Sequence, residues 1–305
     1  MALVSDSLKT RLEIGSIVLK HTTDFFHEHG FVQLLPVILG GSTDPLGPDP
    51  GSSIIKTPEI DYLGSKLYTM NSMILHKQIA VRSLERLFTL SPNIRLEKAE
   101  RKTTMRHLFE FTQLDFELSK AKKEDVMRLM EDFLVYLSKQ LYASTHTIVL
   151  FDSIGIKPFL FEPPFKTYTT HELESIHGKE WELKASLAHE QPFWAICHKR
   201  EFYDKEDKSD LGHYLNYDLI YPLGYGEALS GAEREHEYEI IIKKMGSDKL
   251  KMEVYRAYLE EARKGLVPSA GAGFGIERLV RFLTRAEHVG DVQLFRRVPG
   301  EAITL

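Results

Sequence analysis

The stretch Ser91–Glu117, SPNIRLEKAERKTTMRHLFEFTQLDFE, decides the reading of the fold. Its second arm alternates with a period of two, as a β-strand does. One face carries His107, Phe109, Phe111, Gln113, Asp115 and Glu117. The other carries Leu108, Thr112, Leu114, Phe116 and Leu118, with Glu110 as the exception. The first arm sets Asn93, Arg95 and Glu97 against Ile94 and Leu96, and the connection KAERKTTMR is charged and polar. Two such strands pack an apolar face inward and raise acids, amides and bases around an aromatic side chain. A solvated face would explain the alternation. It would not explain a phenylalanine in the middle of that ring.

Working outward, residues 5–29 read as an amphipathic helix with Leu8, Leu12, Val18, Leu19, Phe25 and Phe26 on one stripe. His29-Gly30 ends it, since glycine suits a left-handed cap. FVQLLPVIL follows as a short strand broken or edged by Pro36. GGSTDPLGPDPGSS (40–53) is a loop whose Asp44 and Asp49 could approach a ligand, with turn-making the favoured role. KLYTMNSMILHKQIA (66–80) begins as a strand and becomes a helix, with Asn71-Ser72 as the cap. Lys77 falls one to two turns into that helix and, taken alone, reads as solvent-facing. KKEDVMRLMEDFLVYLSKQLYA (122–143) is the clearest helix, with a core stripe of Val126, Leu129, Met130, Phe133, Leu134, Leu137 and Leu141.

Residues 150–215 show no strong period. QPFWAICH reads as a strand and REFYDKEDKSDLGH as a polar loop. His171, His177 and His189 lack the i, i+4 spacing of a zinc pair. YLNYDLIYPLGYGEALSGAEREHEYE (214–239) reads as two short strands around a Pro-Leu-Gly turn, then a charged helix. Asp218 and Glu227 stand near the strand ends, and paired carboxylates can hold Mg²⁺ together with phosphate oxygens. Ser230, Gly231 and Arg234 lie beside them. In PSAGAGFGIERLVRFL, Gly271, Gly273 and Gly275 alternate on one strand face, so a flat ring could lie on bare backbone. A helix follows on Ile276, Leu279, Val280 and Leu283, with Arg278 in its first turn and off the stripe. Neither a complete dinucleotide-binding glycine fingerprint nor a Walker A loop is present.

The chain has 305 residues, 43% of them hydrophobic and 27% charged, with a net charge of −5. This is globular composition with no long basic run, so the nucleic-acid footprint is weak. The single cysteine, Cys197, excludes an internal disulfide framework and reads as a packed thiol on a buried strand. No leader and no apolar run of membrane length is seen, so a cytoplasmic protein is expected.

IRLEKAERKTTMRHLFEFTQLDFE resembles motif 2 of the class II aminoacyl-tRNA synthetases, in the aspartyl/asparaginyl branch. GAGFGIERLVRFL resembles motif 3, HEHGFVQLLP resembles motif 1, and YGEALSGAERE resembles the segment that joins metal and amino-acid binding. LFRRVPG resembles the branch's C-terminal end, with Arg296 where a proline commonly stands. Motif 1 begins within the first thirty residues, leaving no room before it for the branch's anticodon-binding barrel. The chain therefore resembles more closely the archaeal-type asparagine synthetases built on this core.

The resemblance implies an α+β fold: one catalytic domain over residues 1–305, with a six- or seven-stranded antiparallel sheet flanked by helices and a homodimer through motif 1. It implies ATP and Mg²⁺, with Asp218 and Glu227 on the metal. Arg95 would bind the α-phosphate, Glu97 the adenine amino group, and Arg106 and His107 the outer phosphates. Phe111 would stack on adenine, with Gly275 as a neighbouring wall and Arg278 over the other face or on the γ-phosphate. Gln113 and Asp115 would hold the substrate's ammonium, Lys77 and Arg234 a carboxylate, with Ser72 and Ser230 in the same subsite. A lysine at position 77 is the aspartate-specific choice. The branch's two glutamines around Ser72 are replaced by Asn71 and Ile74. The expected reaction joins aspartate and ammonia into asparagine, with AMP and pyrophosphate released, and with neither membrane nor tRNA as partner. The alternatives are a truncated synthetase charging tRNA or another carrier, and a non-catalytic paralogue binding aspartate or ATP.

Overall fold

The computed structural model describes residues 4–46, 54–198 and 201–303. Asp49 lies outside them. Helix α1 (Asp6–Glu28) starts at Ser5, whose hydroxyl accepts the Leu8 N–H at 3.2 Å, and ends before Gly30 at φ 76°. Short strands β1 (Val32–Gln33) and β2 (Leu39–Gly40) follow, with Pro36 in the break between them. Then come β3 (Ile54–Lys56), β4 (Glu59–Tyr62), β5 (Ser65–Thr69) and α2 (Ile74–Ala80). The residue before α2 is Met73, and the Ser72 hydroxyl caps by accepting the Ile74 N–H at 3.2 Å.

The quoted hairpin is β6 (Arg86–Ile94) and β8 (Glu110–Ser119), with β7 (Leu96–Glu97) and a 3₁₀ turn between them. Its first arm is longer than the sequence suggests. Its register sets Asn93 against Phe111, Ser91 against Gln113 and Thr89 against Asp115. The chain continues through α3 (Lys123–Ala143), α4 (Thr145–Ser153), β9 (Lys166–Thr169), α5 (Thr170–His177), α6 (Trp181–Ala188) and β10 (Phe193–Ile196). It closes with β11 (Asn216–Tyr221), β12 (Gly226–Glu233), α7 (Tyr238–Ser247), α8 (Arg256–Arg263), β13 (Ser269–Gly275) and α9 (Ile276–Leu283).

The main sheet has eight strands in the order β1-β6-β8-β13-β12-β11-β10-β9. It is antiparallel except at its two edges, where β1 runs parallel to β6 and β9 parallel to β10. This corrects the expected six or seven antiparallel strands. The added edge comes from residues 150–215, where β9 is only four residues long and leaves no readable period. Among the described residues no helix is long and apolar enough to cross a membrane.

One face of the sheet carries the core. Leu114 and Phe116 of β8 are fully buried, and all seven residues of the predicted α3 stripe are buried with them. Phe26 of α1 reaches Phe116 with ring centroids 5.2 Å apart, and Phe133 of α3 meets Phe274 of β13 edge-on at 6.0 Å. Such pairs add roughly 0.5–1.5 kcal/mol beyond the area they bury. Period two then forces Gln113, Asp115 and Glu117 to the opposite face, where the site lies.

Candidate active site

Every residue singled out for nucleotide, amino acid or metal lines one cavity of about 760 Å³. At one end the Arg95 guanidinium carbon lies 5.1 Å from the centroid of the Phe111 ring, a cation–π contact. Arg95 Nε also donates to the Asn71 carbonyl at 3.1 Å. Glu97 follows on β7, beside Arg101 at 3.4 Å. Arg278 projects from the first turn of α9, and a Cβ at Gly275 would come within 3.3 Å of its side chain. Its Nη1 donates to the Glu227 carbonyl at 3.1 Å and carboxylate at 3.2 Å, and its Nε to the Arg106 carbonyl at 3.2 Å. Arg95, Arg101, Arg106 and Arg278 thus gather on one side of the pocket.

His107 sits among them, bonded to Thr104. Burial first, then the charges of Arg278, Arg106 and Arg101, press its pKa down to about 2. It is a neutral imidazole at physiological pH, able to donate to an anion without adding charge.

The other end is a buried ionic network. Lys77 is 1% exposed. Its ammonium donates to Asp115 Oδ1 at 2.7 Å, the Ala272 carbonyl at 3.0 Å and the Phe116 carbonyl at 3.3 Å. This corrects the solvent-facing reading of Lys77: α2 packs over β8, and the three ammonium protons already have protein acceptors. Arg234 is engaged in the same way. Its Nε donates to Glu117 at 3.0 Å, Nη2 to the Gly271 carbonyl at 2.9 Å and Nη1 to Asp204 at 3.4 Å.

Asp115 Oδ2 is buried with no partner among the described residues. A buried carboxylate oxygen in that state suits a cationic donor. Gln113 beside it accepts from Asn93 at 2.5 Å. Ser72 and Ser230 complete the lining. The glycine strand departs from its expected use. Side chains of Glu117 and Gln113 fill the space above Gly271 and Gly273, so the glycines admit neighbouring polar groups, and only Gly275 stands beside the arginine end.

Asp218 and Glu227 lie on neighbouring strands, where Ile220 pairs with Glu227 and puts the two carboxylates on one sheet face. Asp218 Oδ2 is 3.3 Å from His198 Nε2. No group of three metal-binding side chains occurs among the described residues. Two carboxylates beside a cluster of arginines fit Mg²⁺, which takes one or two carboxylates and fills the rest of its shell with waters and phosphate oxygens.

Asp44 lines the cavity and is not only a turn former: Tyr203 donates to it at 3.0 Å, and burial raises its pKa. Other lining residues escaped the sequence reading. Glu182, His198 and Asp204 come from the segment without a period. One signal there was readable: Thr169 and Glu172 form a capping box that marks the start of α5. Cys197 lies one residue past β10 and is partly exposed at the cavity, not packed on a buried strand as expected; burial raises its thiol pKa.

Glu277 fastens the two halves of the site, both its oxygens accepting the Thr112 N–H at 3.0 Å. Burial pushes its pKa from 4.5 up to about 7. A raised carboxyl pKa gives stability present below 4.5 and lost as pH rises through 7. Glu277→Gln is expected to raise the melting temperature by about 2–4 °C at pH 9. It should leave that at pH 4 unchanged; scanning calorimetry at the two pH values checks this.

Residues 1–299 match the family model "tRNA synthetases class II (D, K and N)", and the chain belongs to that family. It is 28% identical to the asparagine–tRNA ligase of Thermococcus kodakarensis, over 95% of this chain and 69% of that protein. It is 29% identical to the asparagine–tRNA ligase of Pyrococcus abyssi, over 87% of this chain and 62% of that protein. The asparaginyl-tRNA synthetase of Pyrococcus horikoshii in complex with asparaginyl-adenylate superposes with a TM-score of 0.85 at 25% identity, covering 98% of this chain and 71% of that one. The chain thus spans about two thirds of its curated relatives. Those relatives are tRNA ligases, so the expectation that tRNA is no partner loses its support.

Proposed function

We propose that this chain is an ATP-dependent amino-acid ligase that activates aspartate or asparagine as the aminoacyl adenylate. The observation that carries this is the polarity of one cavity. Arginines and an aromatic ring stand at one end, and Asp115 stands at the other with a buried, unpartnered oxygen. Phe111 supports adenine, Arg95 faces the α-phosphate, and Arg106, His107 and Arg278 face the outer phosphates. Asp115 and Asp44 take the substrate's ammonium, and Arg234 takes its distal oxygen. Asp218 and Glu227 would hold Mg²⁺, which offsets phosphate charge. A carboxylate oxygen of the substrate attacks the α-phosphorus, and the bond to pyrophosphate breaks. The protein positions the reactants and neutralises developing charge, without a nucleophile of its own.

The relatives, which are asparagine–tRNA ligases, favour tRNA as acceptor. Ammonia is the second reading, favoured by the lysine at position 77, the aspartate-specific choice of the branch. In that case aspartate would present its β-carboxylate, with Arg234 on its α-carboxylate, and asparagine would be the product. The exposed apolar side chains of the motif 1 segment, Leu35 at 91% exposure with Val32 and Ile38, would form the dimer contact.

The experiment supplies ATP, Mg²⁺, labelled aspartate or asparagine, and either total tRNA or ammonium. AMP with labelled aminoacyl-tRNA supports the first acceptor. AMP with asparagine made from aspartate supports the second. ADP in place of AMP contradicts adenylation. Phe111→Ala is expected to weaken ATP about tenfold, as loss of one aromatic stack does. It should leave amino-acid affinity unchanged in calorimetric titrations.

A further inference from the structure

The triphosphate end of the cavity already holds an anion of the protein's own. Glu182, in the first turn of α6, has no part in the adenylation geometry above. Its carboxylate nevertheless takes the Arg106 guanidinium with both oxygens, Oε1 against Nη1 and Oε2 at 3.1 Å from Nη2. Oε1 also accepts the Glu227 N–H at 3.0 Å.

The surroundings hold this pair in place. Four residues along α6, the Ser186 hydroxyl donates to the Tyr221 carbonyl at 2.6 Å and accepts from the Gly224 and Gly226 N–H groups at 2.9 and 3.3 Å. The helix is thereby pinned to the β11–β12 turn. Gly226 has φ 75°, and a Cβ there would run into Arg106 Nη1 and come within 2.9 Å of Glu182 Oε1. The backbone thus leaves room for this ion pair.

We propose that Glu182 is an internal competitor for the outer phosphates of ATP. It holds Arg106 until the triphosphate arrives, gives Arg106 up to it, and takes it back as pyrophosphate leaves. A carboxylate and a phosphate offer the same two-oxygen edge to a guanidinium, so one edge of Arg106 serves one of them at a time. The inference rests on the adenylation reading and adds a residue that sets affinity for nucleotide and pyrophosphate without touching the reacting atoms.

Glu182→Gln keeps the shape and the acceptor for the Glu227 N–H but removes the charge. Calorimetric titrations of the full chain with ATP, inorganic pyrophosphate and AMP provide the test. ATP and pyrophosphate should bind about three- to tenfold more tightly to the variant. AMP, which lacks the outer phosphates, should bind both proteins alike. The shorter Glu182→Asp, which reaches Arg106 less well, should shift ATP and pyrophosphate in the same direction. If ATP and pyrophosphate bind the Gln variant equally or more weakly, or if AMP shifts as they do, Glu182 is a structural clamp and the inference falls. A wild-type chain that binds neither ATP nor pyrophosphate overturns the adenylation reading, and this inference with it.

Discussion

Arg278→Ala is expected to slow amino-acid-dependent exchange of pyrophosphate into ATP by about 10²–10³-fold, the cost of removing one preorganised charge-stabilising donor. Arg278 is held before any ligand arrives. It is fixed to β12 through Glu227 and to the β6–β8 connection through the Arg106 carbonyl. Burial lowers its pKa, and a guanidinium in a protein keeps its charge. A guanidinium fixed in this way needs little reorganisation as charge builds on the phosphates. Arg278→Lys keeps the charge and loses the planar fork, so it should still cost about tenfold or more. Circular dichroism of both variants separates lost chemistry from lost folding. Exchange within a few-fold of wild type in Arg278→Ala would remove Arg278 from the phosphate site.

The second large effect is on stability. Lys77→Met should destabilise the fold by about 3–5 kcal/mol, because it leaves buried carboxylates without their cation. Lys77 bridges α2 to β8 and β13 through Asp115, Phe116 and Ala272, and Glu117 lies 3.9 Å away. Adding Asp115→Asn should restore part of the loss, the coupling expected of an ion pair in direct contact. Urea unfolding of the single and double variants measures this. A Lys77→Met chain of unchanged stability, with only a raised KM for the amino acid, would make Lys77 a substrate clamp and not a keystone.

The faces of the hairpin and the stripe of α3 were readable because both rest on short-range periodicity. Leu114, Phe116 and the seven α3 residues are buried as that periodicity requires. Motif resemblance brought the remaining site residues to one cavity, although α2, β8, β12 and α9 are far apart in the chain. What stayed hidden depends on lateral neighbours. Lys77 looks solvent-facing on a seven-residue helix until Asp115, 38 positions on, is placed beneath it. Gly271 and Gly273 look like a floor for a ring until Glu117, paired with Gly271, and the side chain of Gln113, paired with Gly275, are placed over them. Helices α5 and α6 have eight residues each, too few for a helical period to emerge, so Glu182 carried no signal.

Amino-acid-dependent ATP–pyrophosphate exchange tests the central claim most directly. The purified chain is given ATP, Mg²⁺ and labelled pyrophosphate, with aspartate, asparagine or no amino acid. The account predicts label entering ATP only when one of the two amino acids is present, and loss of that exchange in Arg278→Ala. Absence of exchange with either amino acid, in a folded chain that binds ATP, would contradict it.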